Sequence, residues 1–131
     1  MNSTRTANFG LPGIFLLLAV TINIQAQTSF ARGEELFVQN RPNEALGFLE
    51  AAITQDPANV QAFMYLGIAY IQLGRIDDAI AIYRKILPDG GEETAAIAYN
   101  LGNAYFMRGN HALALQYYNL AIMEEDRKSV V

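Results

Sequence analysis

One stretch of this chain is written twice. LGIAYIQLGRIDDAIAIYRKIL begins at Leu66, and LGNAYFMRGNHALALQYYNLAI begins at Leu101, 35 residues later. Leu66-Gly67 aligns with Leu101-Gly102, Gly74 with Gly109, Ala79 with Ala114 and Tyr83 with Tyr118. Stepping back 34 residues from Gly67 and Ala79 reaches Gly33 and Ala45, and Ala52 stands where Ala121 stands in the last copy. Three copies result, 26–59, 60–94 and 95–128, the middle one longer by a residue that falls most simply in its PDGGEE loop. A period of this length constrains the fold more than composition does. Each copy is one supersecondary unit that cannot bury its apolar faces alone, so the units must stack.

Each copy reads as two helices. In the second, Asp56-Pro57 is expected to cap a helix, with Pro at the first helical position where its missing N–H costs nothing. Gly74 stops that helix in a left-handed cap, and Asp77 and Asp78 fall in the first turn of the next, where acidic charge suits the dipole. Asn40 and Gly109 are the corresponding stops, and Pro42 and Asn110 open the helices that follow them. Gly67 and Ala79 fall where the two helices of a unit cross, because a larger side chain there would hold the backbones apart. Tyr70 and Tyr83 fill the space beside the crossing, with hydroxyls able to reach the rim. The pairs Glu34-Glu35, Glu92-Glu93 and Glu124-Glu125 are adjacent on helices, point about 100° apart and read as solvated charges rather than acid/base dyads.

The pattern resembles the tetratricopeptide repeat, with its aromatic-x-x-Leu-Gly-x-x-Tyr, Ala-x-x-x-aromatic and closing Pro on a 34-residue period. Copy two carries it at Phe63, Leu66, Gly67, Tyr70, Gly74, Ala79 and Tyr83, with Ile86 for the usual Ala and Pro88 early. Copy three carries it at Leu101, Gly102, Tyr105, Gly109, Ala114, Tyr118 and Ala121, with Ala98 for the aromatic. Copy one keeps Gly33, Ala45, Ala52 and Pro57 but departs at Ser29, Arg32, Leu36 and Asn40. The resemblance implies an all-α helical-hairpin solenoid of about three units, wound as a right-handed superhelix.

It also implies a protein-binding scaffold whose first helices line a concave groove. The groove positions would be Phe30, Glu34, Phe37 and Val38, then Gln61, Met64, Ile68, Ile71 and Gln72, then Tyr99, Asn103, Phe106 and Met107. Most are apolar, Met suits an adaptable surface, and an apolar patch of that extent marks an interaction site. Packing between neighbouring helices would account for about half of these residues without any partner. Some family members clamp a C-terminal carboxylate with Lys, Asn and Arg. The corresponding positions here hold Phe30, Glu34, Tyr65, Ala96 and Asn100, with no cation, so a chaperone-tail receptor of that kind is not expected.

The first 26 residues read differently. Arg5 is their only charge, the apolar run Leu11–Ile22 follows, and Ala26 is a small residue suited to cleavage. Together they read as a secretory signal peptide, residues 1–26, ahead of a repeat domain at 27–128 and a tail at 129–131. Export to a periplasmic or extracellular space follows. The competing reading is a membrane anchor, since Ile24 is bulky for its place before the cut, although the run is shorter than the roughly 20 residues a spanning helix needs.

Without residues 1–26, eight basic residues face thirteen acidic ones, a net charge of −5. That opposes nucleic acid as a partner. With no Cys and one His, thiolate chemistry and the usual zinc sites are excluded, and no cofactor or metal is expected. His111 opens the last helix without a nucleophile or base at an identifiable spacing, so no enzymatic role is assigned. A second reading concerns the last helix, where Leu115 and Ile122 widen the apolar face although terminal units normally carry a polar cap. Self-association, another partner or a further unit of a longer array would cover them, with plain exposure as the alternative. Regulation of an enzyme complex is the remaining alternative.

Overall fold

The computed structural model describes residues 11–88, 90 and 92–130. Six helices follow in order: α1 Leu11–Val38, α2 Pro42–Gln55, α3 Val60–Gln72, α4 Ile76–Ile86, α5 Thr94–Met107 and α6 His111–Ser129. They pair as antiparallel hairpins, α1 with α2, α3 with α4 and α5 with α6. Each hairpin packs on the next through α2 against α3 and α4 against α5. The first helices also touch, α1 with α3 and α3 with α5, whereas among the described residues α2 and α4 do not. The first helices thus form an inner row and the second helices spread on the outer side.

The hairpin turns are three copies of one device. Asn40, Gly74 and Gly109 take positive φ of 57°, 75° and 85°. At each, the next residue's N–H reaches back five residues: Arg41 to Leu36 O at 3.0 Å, Arg75 to Tyr70 O at 2.8 Å and Asn110 to Tyr105 O at 2.9 Å. The turn residue's own N–H reaches back three, to Phe37, Ile71 and Phe106. These are Schellman closures, which satisfy the last carbonyls of the helix before them. The expected stops are therefore where the periodicity puts them, and Asn40 adopts the left-handed conformation that its short polar side chain tolerates.

One expected cap is corrected. Asp56 and Pro57 lie in a turn before α3; Asp56 Oδ1 accepts from Ala58 N at 3.1 Å, and the cap is Asn59, whose Oδ1 accepts from Ala62 N at 3.0 Å. Asp56 instead closes α2, its N–H donating to Ala52 O at 2.8 Å. Asn110 caps α6 in the same way as Asn59, accepting from Leu113 N at 3.2 Å.

The small residues sit at the helix crossings. An added Cβ at Gly67 would enter the ring of Tyr83; at Gly102 it would lie 2.7 Å from the ring of Tyr118, and at Gly33 2.8 Å from Leu49. Each glycine thus receives the large side chain of its own hairpin's second helix. Tyr83 is wholly buried, and burial pushes its phenol well above the ordinary range. Truncating a fully buried aromatic costs about 3–5 kcal/mol. The core runs without interruption through all three hairpins, from Leu36, Ala45 and Leu49 through Leu66, Tyr70 and Ile80 to Leu101, Ala104 and Ala114.

The N-terminal helix is continuous, and one further residue departs from expectation. Residues 14–32 contain no Gly or Pro, so α1 runs unbroken through Ala26, which is buried. The side chains of Phe15, Leu16, Leu17, Val20 and Ile24 stay exposed along its first half. The helix is long and apolar enough to cross a membrane. Glu124, read from the sequence as solvated, is buried and pairs with Arg127 at 3.2 Å, while Glu125 remains exposed.

Candidate partner-binding groove

The inner row of α1, α3 and α5 forms a trough with two unequal halves. Between α1 and α3 it is filled. The Tyr65 ring lies 6.1 Å from Phe30 and 4.9 Å from Phe37 between centroids, and its hydroxyl donates to Glu34 at 3.0 Å. That bond to a carboxylate, with partial burial, raises the phenol's pKa. Behind it Tyr70 donates to Glu50 on α2 at 2.8 Å; burial first and that bond second push its pKa up to about 12.

Between α3 and α5 the trough is open. A pocket of about 240 Å³ is lined by Val60, Gln61, Met64, Tyr65 and Ile68 from the α3 side and Glu93, Ala96 and Ile97 from the α5 side. The repeat register explains it. Asn100 stands 35 residues after Tyr65 and brings no ring to lie over Met64 and Ile71, the counterparts of Phe30 and Phe37. Ile68 stands where Glu34 stands, so no carboxylate waits there for a hydroxyl.

The sequence-predicted positions divide accordingly. Phe30, Phe37, Met64, Ile68 and Ile71 are half-buried and pack against the core. Gln72 is exposed at the end of α3, and Tyr99, Phe106 and Met107 stand exposed on α5. Tyr99 leans on Tyr118 at 5.8 Å and Phe106 on His111 at 5.1 Å. Asn103 is half-buried, and its Oδ1 accepts the Tyr118 hydroxyl at 2.7 Å, so it holds α6 to α5. Two residues matter more than their positions in the motif indicated. Tyr65 closes one half of the trough and walls the other, and Asn100 leaves the second half open. The in-phase pair Tyr65/Asn100 was the available signal.

An inner row of first helices lining an apolar trough, backed by outer second helices, defines an all-helical hairpin-repeat module. Family models described as tetratricopeptide repeat match residues 36–98 and 89–129. The chain carries tetratricopeptide repeats through these residues. It is 38% identical over 63 residues to the tetratricopeptide repeat and J domain-containing co-chaperone DNJ1 of Fusarium oxysporum f. sp. lycopersici, covering 48% of this chain and 11% of that protein. Solved structures with the same fold include MamA MSR-1 C2, with TM-score 0.71 and 21% identity over 79% of this chain and 59% of that one. A crystal structure of MamA matches with TM-score 0.72 and 24% identity, over 81% of this chain and 61% of that one. The chain thus spans about a tenth of the curated relative's length and three fifths of each solved chain. Tetratricopeptide repeats generally mediate protein–protein contacts and are typically not enzymes.

Proposed function

We propose that this chain is an adaptor that holds a segment of another protein in the trough between α3 and α5, within an extracytoplasmic assembly and without chemistry of its own. The observation that carries this reading is the open pocket at Met64, Ile68, Ala96 and Ile97, apolar within and rimmed by the exposed carboxylate of Glu93. An apolar side chain of the partner enters the pocket, and a Lys or Arg beside it faces Glu93. Tyr99, Phe106 and Met107 extend the contact along α5, and the units wind on as a right-handed superhelix. The apolar start of α1 directs export; where it is kept, it tethers the repeats to the membrane.

Selection from a displayed random-peptide library tests the groove. Peptides enriched in an apolar residue next to a cation, bound by the wild type and lost by Met64→Glu and Ile68→Glu with unchanged circular dichroism, support it. Peptides held equally by those variants would place binding elsewhere. Intact mass of the secreted chain separates cleavage after Ala26 from retention of α1.

A further inference from the structure

We propose that the exposed face formed by α6 and the edge of α5 pairs with the same face of a second copy to make a closed two-fold dimer. Internal repetition shows what this face lacks. Leu115 and Ile122 correspond in register to Ile80 and Leu87 of the second unit and to Leu46 and Ile53 of the first. Those four are buried or half-buried under the helix that follows them, α5 or α3. Leu115 and Ile122 stand 61% and 59% exposed, beside Tyr99 and Phe106 at 56% each. A pocket of about 390 Å³ opens between α5 and α6, lined by Ala96, Tyr99, Ala121, Ile122 and Asp126 among others. In the first two units the cover is a helix carrying an apolar stripe.

A second α6 supplies that helix with matching chemistry. His111, Leu115, Ile122 and Asp126 share one exposed stripe and are arranged symmetrically about the midpoint between Tyr118 and Asn119. Two such helices laid antiparallel about that midpoint set Leu115 against the partner's Ile122 at the mouth of the pocket. They also set His111 against the partner's Asp126, each pair occurring twice. A neutral imidazole N–H donates to the carboxylate, so the register is fixed without requiring a charged histidine. Isologous pairing of this kind closes on itself.

The test uses the full chain in non-ionic detergent, which keeps the apolar start of α1 separately solvated. The chain has no native cysteine, so Asn119→Cys is a clean reporter. Mild oxidation is expected to link it as a dimer, whereas Asn43→Cys on the exposed side of α2 stays monomeric. Sedimentation equilibrium is expected to show a monomer–dimer balance that Leu115→Asp or Ile122→Asp weakens at least about tenfold. Both side chains are mostly exposed, so these variants keep the wild-type circular dichroism. His111→Asp weakens the dimer, and His111→Asp with Asp126→His restores it. A concentration-independent monomer, a growing polymer, or a dimer indifferent to Leu115→Asp, Ile122→Asp and His111→Asp would overturn the proposal. Peptide binding by Met64 and Ile68 variants is read separately, so failure here leaves the groove assignment standing.

Discussion

The two halves of the trough are built from the same repeat and differ by a few side chains. In the half between α1 and α3, Tyr65 lies over Phe30 and Phe37, and two tyrosine hydroxyls, of Tyr65 and Tyr70, end on the carboxylates of Glu34 and Glu50. In the half between α3 and α5 the matching positions hold Asn100 for Tyr65, Ile68 for Glu34 and Arg84 for Glu50, and a pocket opens. The backbone repeats; the filling does not. A repeat array sets where a groove runs, and single side chains at the seam between units decide which stretch of it can accept a guest.

The largest effect is expected from emptying the closed half. Tyr65→Ala removes a ring that packs on two others, and losing buried aromatic surface costs about 3 kcal/mol, at the low end of such truncations because Tyr65 is half-buried. Urea denaturation should show the midpoint falling by that amount, with α1 loosened first in hydrogen exchange. A loss under about 1 kcal/mol, no more than an ordinary surface substitution, would mean the cluster is not what closes this half.

The second effect is on binding. Asn100→Tyr places a ring over Met64 and Ile71 and fills the open half as Tyr65 fills the closed one. Peptides selected by the wild type should lose at least about tenfold in affinity, or 1.4 kcal/mol, with stability unchanged or raised. Combining it with Tyr65→Asn should move the acceptor pocket toward Phe30 and Phe37 and select different peptides. Unchanged affinity in Asn100→Tyr would detach binding from this half.

Much of this architecture was legible beforehand because its causes are local or periodic. The stops at Asn40, Gly74 and Gly109 follow from left-handed conformations at fixed spacing, and the crossings follow from Gly33, Gly67 and Gly102 lying in phase with Leu49, Tyr83 and Tyr118. The cap of α3 was misread because Asp56-Pro57 has the chemistry of a helix start, while Asn59, three residues on, forms the bond. Glu124 was misread because its burial depends on how far α6 continues beyond the motif. The helical register of the proposed groove positions was legible, but not the state of each side chain. Whether Asn103 faces a guest or ties α6 through Tyr118 depends on contact between helices, which no single-helix pattern encodes.

The smallest effect separates the hydroxyls from the rings. Tyr65→Phe keeps the cluster and deletes only the bond to Glu34, so its cost should be about 1 kcal/mol, clearly less than Tyr65→Ala. Alkaline pH acts on the same bonds. Tyr65 and Tyr70 both have raised phenol pKa values, Tyr70 near 12, so the folded state holds protons that the unfolded chain releases near 10. Their contribution is fully present below about pH 10 and drains away as pH climbs toward 12. Wild-type stability should therefore fall between those values, and Tyr70→Phe should fall less steeply. A slope in Tyr70→Phe equal to that of wild type would show that the buried, carboxylate-bonded Tyr70 does not distinguish the two halves, leaving the ring of Tyr65 as the whole of their difference.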